Sequence, residues 1–422
     1  MLVKRYGCDV CYTPMIHSRI FAEKPNTRSS FFSTVPEERP VVAQFCSNDP
    51  DYFVTAAKLL QDKVDAIDLN LGCPQRIAKH GNYGAYLLES PETILPLVRA
   101  ASKELDIPIF CKIRLVNLHT LQDTVDLALA LQEAGCKLLT VHGRTKEMRG
   151  SNTGVADLAA IRAVKEALDI PVIANGNVRS YAEYEKCLEE TGCDGVMSAL
   201  GLLANPMLFD PVRGNSYSEK DRLEILFEYL AVCEQYPPNN LSQVRGHVFY
   251  IIGEMLNKHT DLRQLFAGEV TLKTAGANGK VIDKRRTTRK QRRAKARHQM
   301  INEMKRNVLG EEETEFVPEP APASSVVSVD VLAAELAEHG LDKAVKPHSE
   351  YATDEAAPLS RLDHINHVLR VYKDAATVLL LRVQSGIKYE EAEDIKTLRK
   401  LRAVRTLKDG QDAVEVMPDL FG

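Results

Sequence analysis

The chain has 422 residues, 44% hydrophobic and 27% charged, with a formal net charge of −4. That leaves room for two or three domains with a sizeable core and excludes a wholly disordered protein. No apolar run is long enough to span a membrane, no secretory signal pattern opens the chain, and nine singly scattered cysteines read as reduced thiols.

The near-neutral total is a cancellation. Residues 280–306 hold 12 Lys/Arg against Asp283 and Glu303, a local net of +10, and residues 311–360 hold 12 Asp/Glu against Lys343 and Lys346, a local net of −10. Overall charge therefore does not exclude a nucleic-acid partner.

From the N-terminus to about residue 210, one theme recurs. A short apolar run ends in polar residues, a loop follows, and then an amphipathic stretch of helix length. The runs are Asp9–Pro14, Val41–Phe45, Ala66–Asn70, Ile109–Arg114, Leu138–His142, Pro171–Asn175 and Gly195–Ala199. This is the βαβα pattern of a parallel sheet. Polar side chains at nearly every strand's C-terminal end favour a TIM-type (β/α)8 barrel over an open doubly wound sheet, which would carry a G-x-G-x-x-G turn. Seven runs are legible where a closed barrel requires eight, so one strand-helix unit is expected to be missing from the start.

Beyond Pro206 the pattern becomes helical, with amphipathic periodicity over Glu219–Gln235 and Ser242–Lys258. The expected organisation is a catalytic barrel over 1–210, a partial α-helical domain over 211–268, a charged linker over 269–360 and a helical segment over 361–422.

Several strand ends carry chemistry. Asn70-Leu71-Gly72-Cys73-Pro74 follows a buried strand, and its Gly and Pro force a turn that holds the Cys73 thiol at the barrel mouth. Nucleophile and proton donor are both open roles for that thiol. Lys112 and Arg114 alternate with Cys111 and Ile113, and two cations inside a strand call for an anionic ligand or a flavin whose reduced ring is negative. His142-Gly143-Arg144-Thr145-Lys146 adds a histidine and two more cations, and the small residues of Asn175-Gly176-Asn177 let backbone N–H groups approach a phosphate. Cys8-x-x-Cys11 stands alone, without the second pair that a zinc site needs.

Taken together, Val42–Phe45, Asp68–Pro74, Cys111–Arg114, Thr140–Lys146 and Ile173–Asn177 resemble the flavin-dependent tRNA-dihydrouridine synthases. Cys11–Met15, His17, Met197–Ala199 and Asn205-Pro206 resemble the eukaryotic branch acting on D-loop uridines 16 and 17. The resemblance runs from about Tyr6 to Phe209 and more weakly to Ala267. It implies that Cys73 is the acid giving a proton to C5 of uracil while hydride reaches C6, and that Asn70 holds the ring. It further implies FMN contacts from Gln44, Lys112 and His142, a phosphate cradle from Asn175, Gly176, Asn177 and the backbone at Ala199 and Leu200, and a tRNA face of Arg76, Lys79, Arg144 and Lys146. NADPH, or NADH, is the implied reductant. A cytoplasmic monomer is expected, with nuclear import through 280–306 as the alternative. The family's opening Ala-Pro-Met strand is absent, and Leu200–Leu203 replaces its acidic-Gly-Asn-Leu segment. Two rival readings are a flavin barrel acting on a small molecule and an inactive RNA-binding relic.

Overall fold

The computed structural model of the chain describes residues 1–239, 241–267 and 361–385. The expected linker at 269–360, with its basic and acidic blocks, and the segment 386–422 lie outside the described residues. In chain order the elements are β1 (Cys11–Tyr12), β2 (Ile16–His17), α1 (Ser18–Glu23), α2 (Arg28–Phe31), β3 (Val41–Cys46), α3 (Pro50–Lys58), β4 (Ala66–Leu71), α4 (Arg76–Gly81), α5 (Pro91–Glu104) and β5 (Ile109–Arg114). They continue as α6 (Leu121–Glu133), β6 (Leu138–His142), α7 (Leu158–Ala167), β7 (Val172–Asn175), α8 (Tyr181–Thr191), β8 (Gly195–Met197), α9 (Leu200–Ala204), α10 (Glu219–Gln235), α11 (Leu241–Lys258), α12 (Thr260–Phe266) and α13 (Arg361–Ser385).

All strand pairs are parallel, and β1, β3, β4, β5, β6, β7 and β8 lie side by side in that order. The result is the α/β sheet of a TIM-type fold, with helices following strands and no pairing of β1 with β8 among the described residues. The run expected as one strand over Asp9–Pro14 is paired only over Cys11–Tyr12, and a second short strand lies beyond it. β1 pairs Cys11 with Val41, and β2 resumes further along the same neighbour, pairing Ile16 with Phe45. Pro14 has no N–H to give a ladder, and beside it the Thr13 Oγ1 stands where a backbone carbonyl would, accepting from Gln44 N at 3.0 Å. The last strand likewise stops at Met197, two residues before the expected Ala199.

Alternation along the strands decides which side chains reach the site. Ala43, Phe45, Ile67, Leu69, Leu71, Cys111, Ile113, Leu139, Val141, Val172 and Ala174 face the helices and join Phe53, Ile94, Leu97, Leu127, Ile161 and Val164 in one apolar core. Their neighbours, Gln44, Asp68, Asn70, Lys112, Arg114, Thr140, His142 and Asn175, fall on the opposite face. Helix starts are set by local chemistry. Asp49 accepts from Asp51 N and Tyr52 N ahead of α3, Asp157 caps α7, Ser180 caps α8, and Ser218 forms a capping box with Asp221 before α10.

Two compact units divide the chain, the first built on Met1–Met255 and the second drawing its described part from 256–267 and 370–385. Within the first, α10 is tied to the N-terminal segment: the Tyr6 hydroxyl donates to Glu228 Oε1 at 2.5 Å, and Leu223, Leu226 and Leu230 are buried. In the second, the Tyr372 hydroxyl donates to Phe266 O at 2.9 Å over buried Leu262, Ala375 and Leu379.

Candidate active site

The polar face of the strands converges at their C-terminal ends. Parallel register sets Gln44 beside Asp68, Asn70 beside Lys112, Lys112 beside Thr140, Arg114 beside His142 and His142 beside Asn175. Side chains in register point the same way, so these residues from β3 to β7 share one concave lining.

Asn70 organises the turn after β4. Its Oδ1 accepts from Gly72 N at 3.1 Å and Cys73 N at 2.9 Å, while its Nδ2 donates to Gln44 Oε1 at 2.7 Å. Gln44 Nε2 in turn donates to Asp68 Oδ2 at 2.9 Å. Asn70 thus holds Cys73 in place and keeps one amide hydrogen for a ligand. Gly84 closes over the same turn. Its φ is +67°, and a Cβ there would lie 2.8 Å from Cys73 O. Cys73 is half-buried and packs with Met15 and Tyr86 against Cys46, Ala78 and Tyr83.

Lys112 is half-buried, and its Nζ donates to Asn175 Oδ1 at 2.7 Å; Asn175 Nδ2 donates to Met197 O at 2.8 Å. Burial pulls the Lys112 ammonium down to about 8, against the pull of the Asp68 charge, and pushes the fully buried Asp68 carboxyl up to about 6. Asp68 Oδ1 has no hydrogen-bond partner. Burial, with the neighbouring Lys112, Arg114 and Arg144 charges, takes His142 down to about 2. The Arg144 Nη1 lies 3.0 Å from His142 Nε2, and a guanidinium can only donate. His142 is therefore neutral, accepts through Nε2 and carries its proton on Nδ1.

Arg144, which the resemblance assigns to the tRNA face, is buried, with Nη2 donating to Gly154 O at 2.9 Å and to Asn177 Oδ1. These inward acceptors, 10 and 33 residues further along the chain, pair the Nη2 of a guanidinium whose buried Nε has no partner. Lys146 is ion-paired with Glu89 at 2.8 Å, while Arg76 and Lys79 stand exposed on α4 just past Cys73. Ala199 precedes α9 and Leu200 begins it, with the Leu200 side chain turned to solvent.

Two arginines that charge patterning did not single out for this role bind the loops together. Arg114 is buried, its Nε donating to Gly72 O at 2.8 Å and its Nη1 to Thr145 O at 2.8 Å. Arg149 donates to Pro74 O, which also accepts from the Tyr86 hydroxyl at 3.0 Å. Asp68 was likewise legible only as part of a strand.

The residues expected to hold FMN fit such a group. Gly176 has φ +125°, and a Cβ there would sit 2.7 Å from Ala156 Cβ and 3.2 Å from His142 Cδ2. Asn177 follows at φ 65°. This is backbone shaped for close approach, beside a buried ammonium whose direct partner is a neutral amide.

The family profile described as dihydrouridine synthase (Dus) matches residues 1–299. A Rattus norvegicus protein named tRNA-dihydrouridine(16/17) synthase (NAD(P)(+))-like is 45% identical over 279 residues, 66% of this chain and 62% of that protein. A Schizosaccharomyces pombe tRNA-dihydrouridine(16/17) synthase is 39% identical over 276 residues, 63% of this chain and 69% of its own. A Homo sapiens tRNA-dihydrouridine(20a/20b) synthase-like protein is 40% identical over 209 residues, 49% of this chain and 65% of that one. The chain spans 62% and 57% of the lengths of the rat protein and its mouse counterpart.

Proposed function

Because the chain belongs to the dihydrouridine synthase family, we propose that it reduces uridine to 5,6-dihydrouridine at positions 16 and 17 of the tRNA D-loop. FMN supplies the hydride in this reading, and NADPH or NADH restores it. The observation that carries the proposal is the Cys73 thiol, fixed just past β4 by the carboxamide of Asn70, which is itself in register with Lys112 on the neighbouring strand.

Reduction of the C5–C6 bond needs a hydride at one carbon and a proton at the other. Cys73 Sγ gives its proton to C5, and Asn70 offers its remaining Nδ2 hydrogen to the uracil ring. Lys112, its ammonium oriented by Asn175, would supply positive charge to a bound flavin that becomes anionic on reduction. Neutral His142 donates from Nδ1, and Gly176, Asn177 and the Ala199–Leu200 backbone receive the phosphate. A uridine within folded tRNA must leave its stack to enter, and exposed Arg76 and Lys79, with Lys146, meet the backbone around it. On this reading the enzyme acts as a monomer in the cytoplasm.

The test is dihydrouridine formation at 16 and 17 on tRNA lacking the modification, with reduced nicotinamide as the sole reductant. Cys73→Ala should bind flavin and tRNA as before while turnover falls by about 10²-fold or more. Equal dihydrouridine yield from that variant removes Cys73 from the acid role, and full turnover on free uracil would replace tRNA by a small-molecule substrate.

A further inference from the structure

Cys73 has a second thiol behind it. Cys46 ends β3, one residue beyond Phe45, whose partner on β4 is Leu69. The next residue on β4 is Asn70, and its Oδ1 folds Gly72 and Cys73 back over the strand end. Cys46 and Cys73 accordingly pack in one small cluster with Ala78, Tyr83, Met15 and Tyr86. Cys46 is fully buried and Cys73 half-buried at the mouth, so a reagent from solvent meets Cys73 first.

We infer that Cys46 and Cys73 form a peroxide-responsive dithiol, in which oxidised Cys73 is captured as a reversible Cys46–Cys73 disulfide. Peroxide transfers one oxygen atom to the Cys73 sulfur, giving a sulfenic acid and one water. The Cys46 sulfur then bonds to the Cys73 sulfur as the S–O bond breaks. The departing hydroxide leaves with the Cys46 thiol proton as a second water. The two thiols lose two electrons in all and peroxide gains them. Burial, reinforced by the adjacent Cys73, pushes the Cys46 thiol up to about 12. Cys46 is thereby kept from reacting with peroxide alone, and its place in one cluster with Cys73 is what suits it to capture the oxidised sulfur.

The chemistry stands on packing alone; its consequence for turnover rests on Cys73 being the acid, as proposed above. A disulfide removes the proton that Cys73 would deliver, so oxidation halts reduction of tRNA, and dithiothreitol restores it. Capture also keeps Cys73 from advancing to the irreversible sulfinic acid.

The experiment treats the full-length holoprotein with graded hydrogen peroxide, blocks free thiols, and maps linked peptides by mass spectrometry. Turnover is measured in parallel before and after dithiothreitol. The wild type should yield a Cys46–Cys73 linked peptide and lose at least tenfold of its activity, most of it recovered on reduction. Cys46→Ser and Cys46→Ala, checked for folding by circular dichroism, should start with wild-type turnover, form no link, and lose activity irreversibly with Cys73 carried to the sulfinic acid. Absence of the linked peptide in the wild type, or equal irreversible loss in wild type and both variants, overturns the inference. A linked peptide in a protein that never reduces tRNA leaves the dithiol standing and refutes the functional reading instead.

Discussion

Asp68 is a costly charge to keep ionised. It is fully buried, one oxygen accepts from Gln44, and the other has no partner. Burial raises its carboxyl to about 6 from the ordinary 3.8, a difference worth about 3 kcal/mol. Between about pH 4 and pH 6 the folded chain retains a proton that the unfolded chain has released. Stability therefore falls as pH rises through that window, and at neutral pH the whole penalty applies. Asp68→Asn leaves an acceptor for Gln44 and removes the charge. Part of the gain is returned, because Lys112 loses the neighbouring carboxylate that holds its ammonium up. The net stabilisation expected at pH 7 is about 1–2 kcal/mol. Urea titrations at several values between pH 4.5 and 7.5 should show the variant pulling ahead of the wild type as pH rises. A constant difference, or a variant that falls behind, refutes the assignment of a buried ionised carboxylate. The same variant should lose flavin affinity through a less protonated Lys112, and visible absorbance of the gel-filtered protein reads that directly.

Two further substitutions probe the turns. Gly176→Ala meets a positive φ and the Ala156 side chain together. It should lower stability by about 1–3 kcal/mol in a thermal melt and weaken flavin retention at least tenfold, while unchanged retention would remove Gly176 from the cradle. Asn70→Ala frees Gly72 N and Cys73 N. Turnover should fall about 10²-fold with a loss of about 1–2 kcal/mol in urea, and an active variant would show that Cys73 needs no such support.

The sheet was legible because short apolar runs such as Ile109–Arg114 recur at helix-length intervals, and because each run ends where a polar side chain reaches the mouth. Helices α10 and α11 followed from three- and four-residue spacing to within one residue. What escaped depends on partners remote in sequence. Thr13 replaces a backbone acceptor for Gln44, 31 residues away, and the strand expected to reach Pro14 stops at Tyr12. Arg144 carries the same charge as the exposed Arg76, and nothing local reveals that Asn177 and His142 wait to receive it. Arg114 was visible as a cation in a strand, yet its acceptors, Gly72 O and Thr145 O, are set only once three strand ends lie side by side.

Those arginine bonds have a consequence for motion. Arg114 grips the turns after β4 and β6 at once, and Arg149 repeats the link further out through Pro74. Neither turn can open alone without leaving a buried guanidinium unsatisfied. The Cys73 turn and the 145–149 turn thus form one cooperative opening unit, whose amides exchange with solvent together. A disturbance at Met148 would reach the thiol as a change in how often its turn comes loose, with no change in where that turn rests.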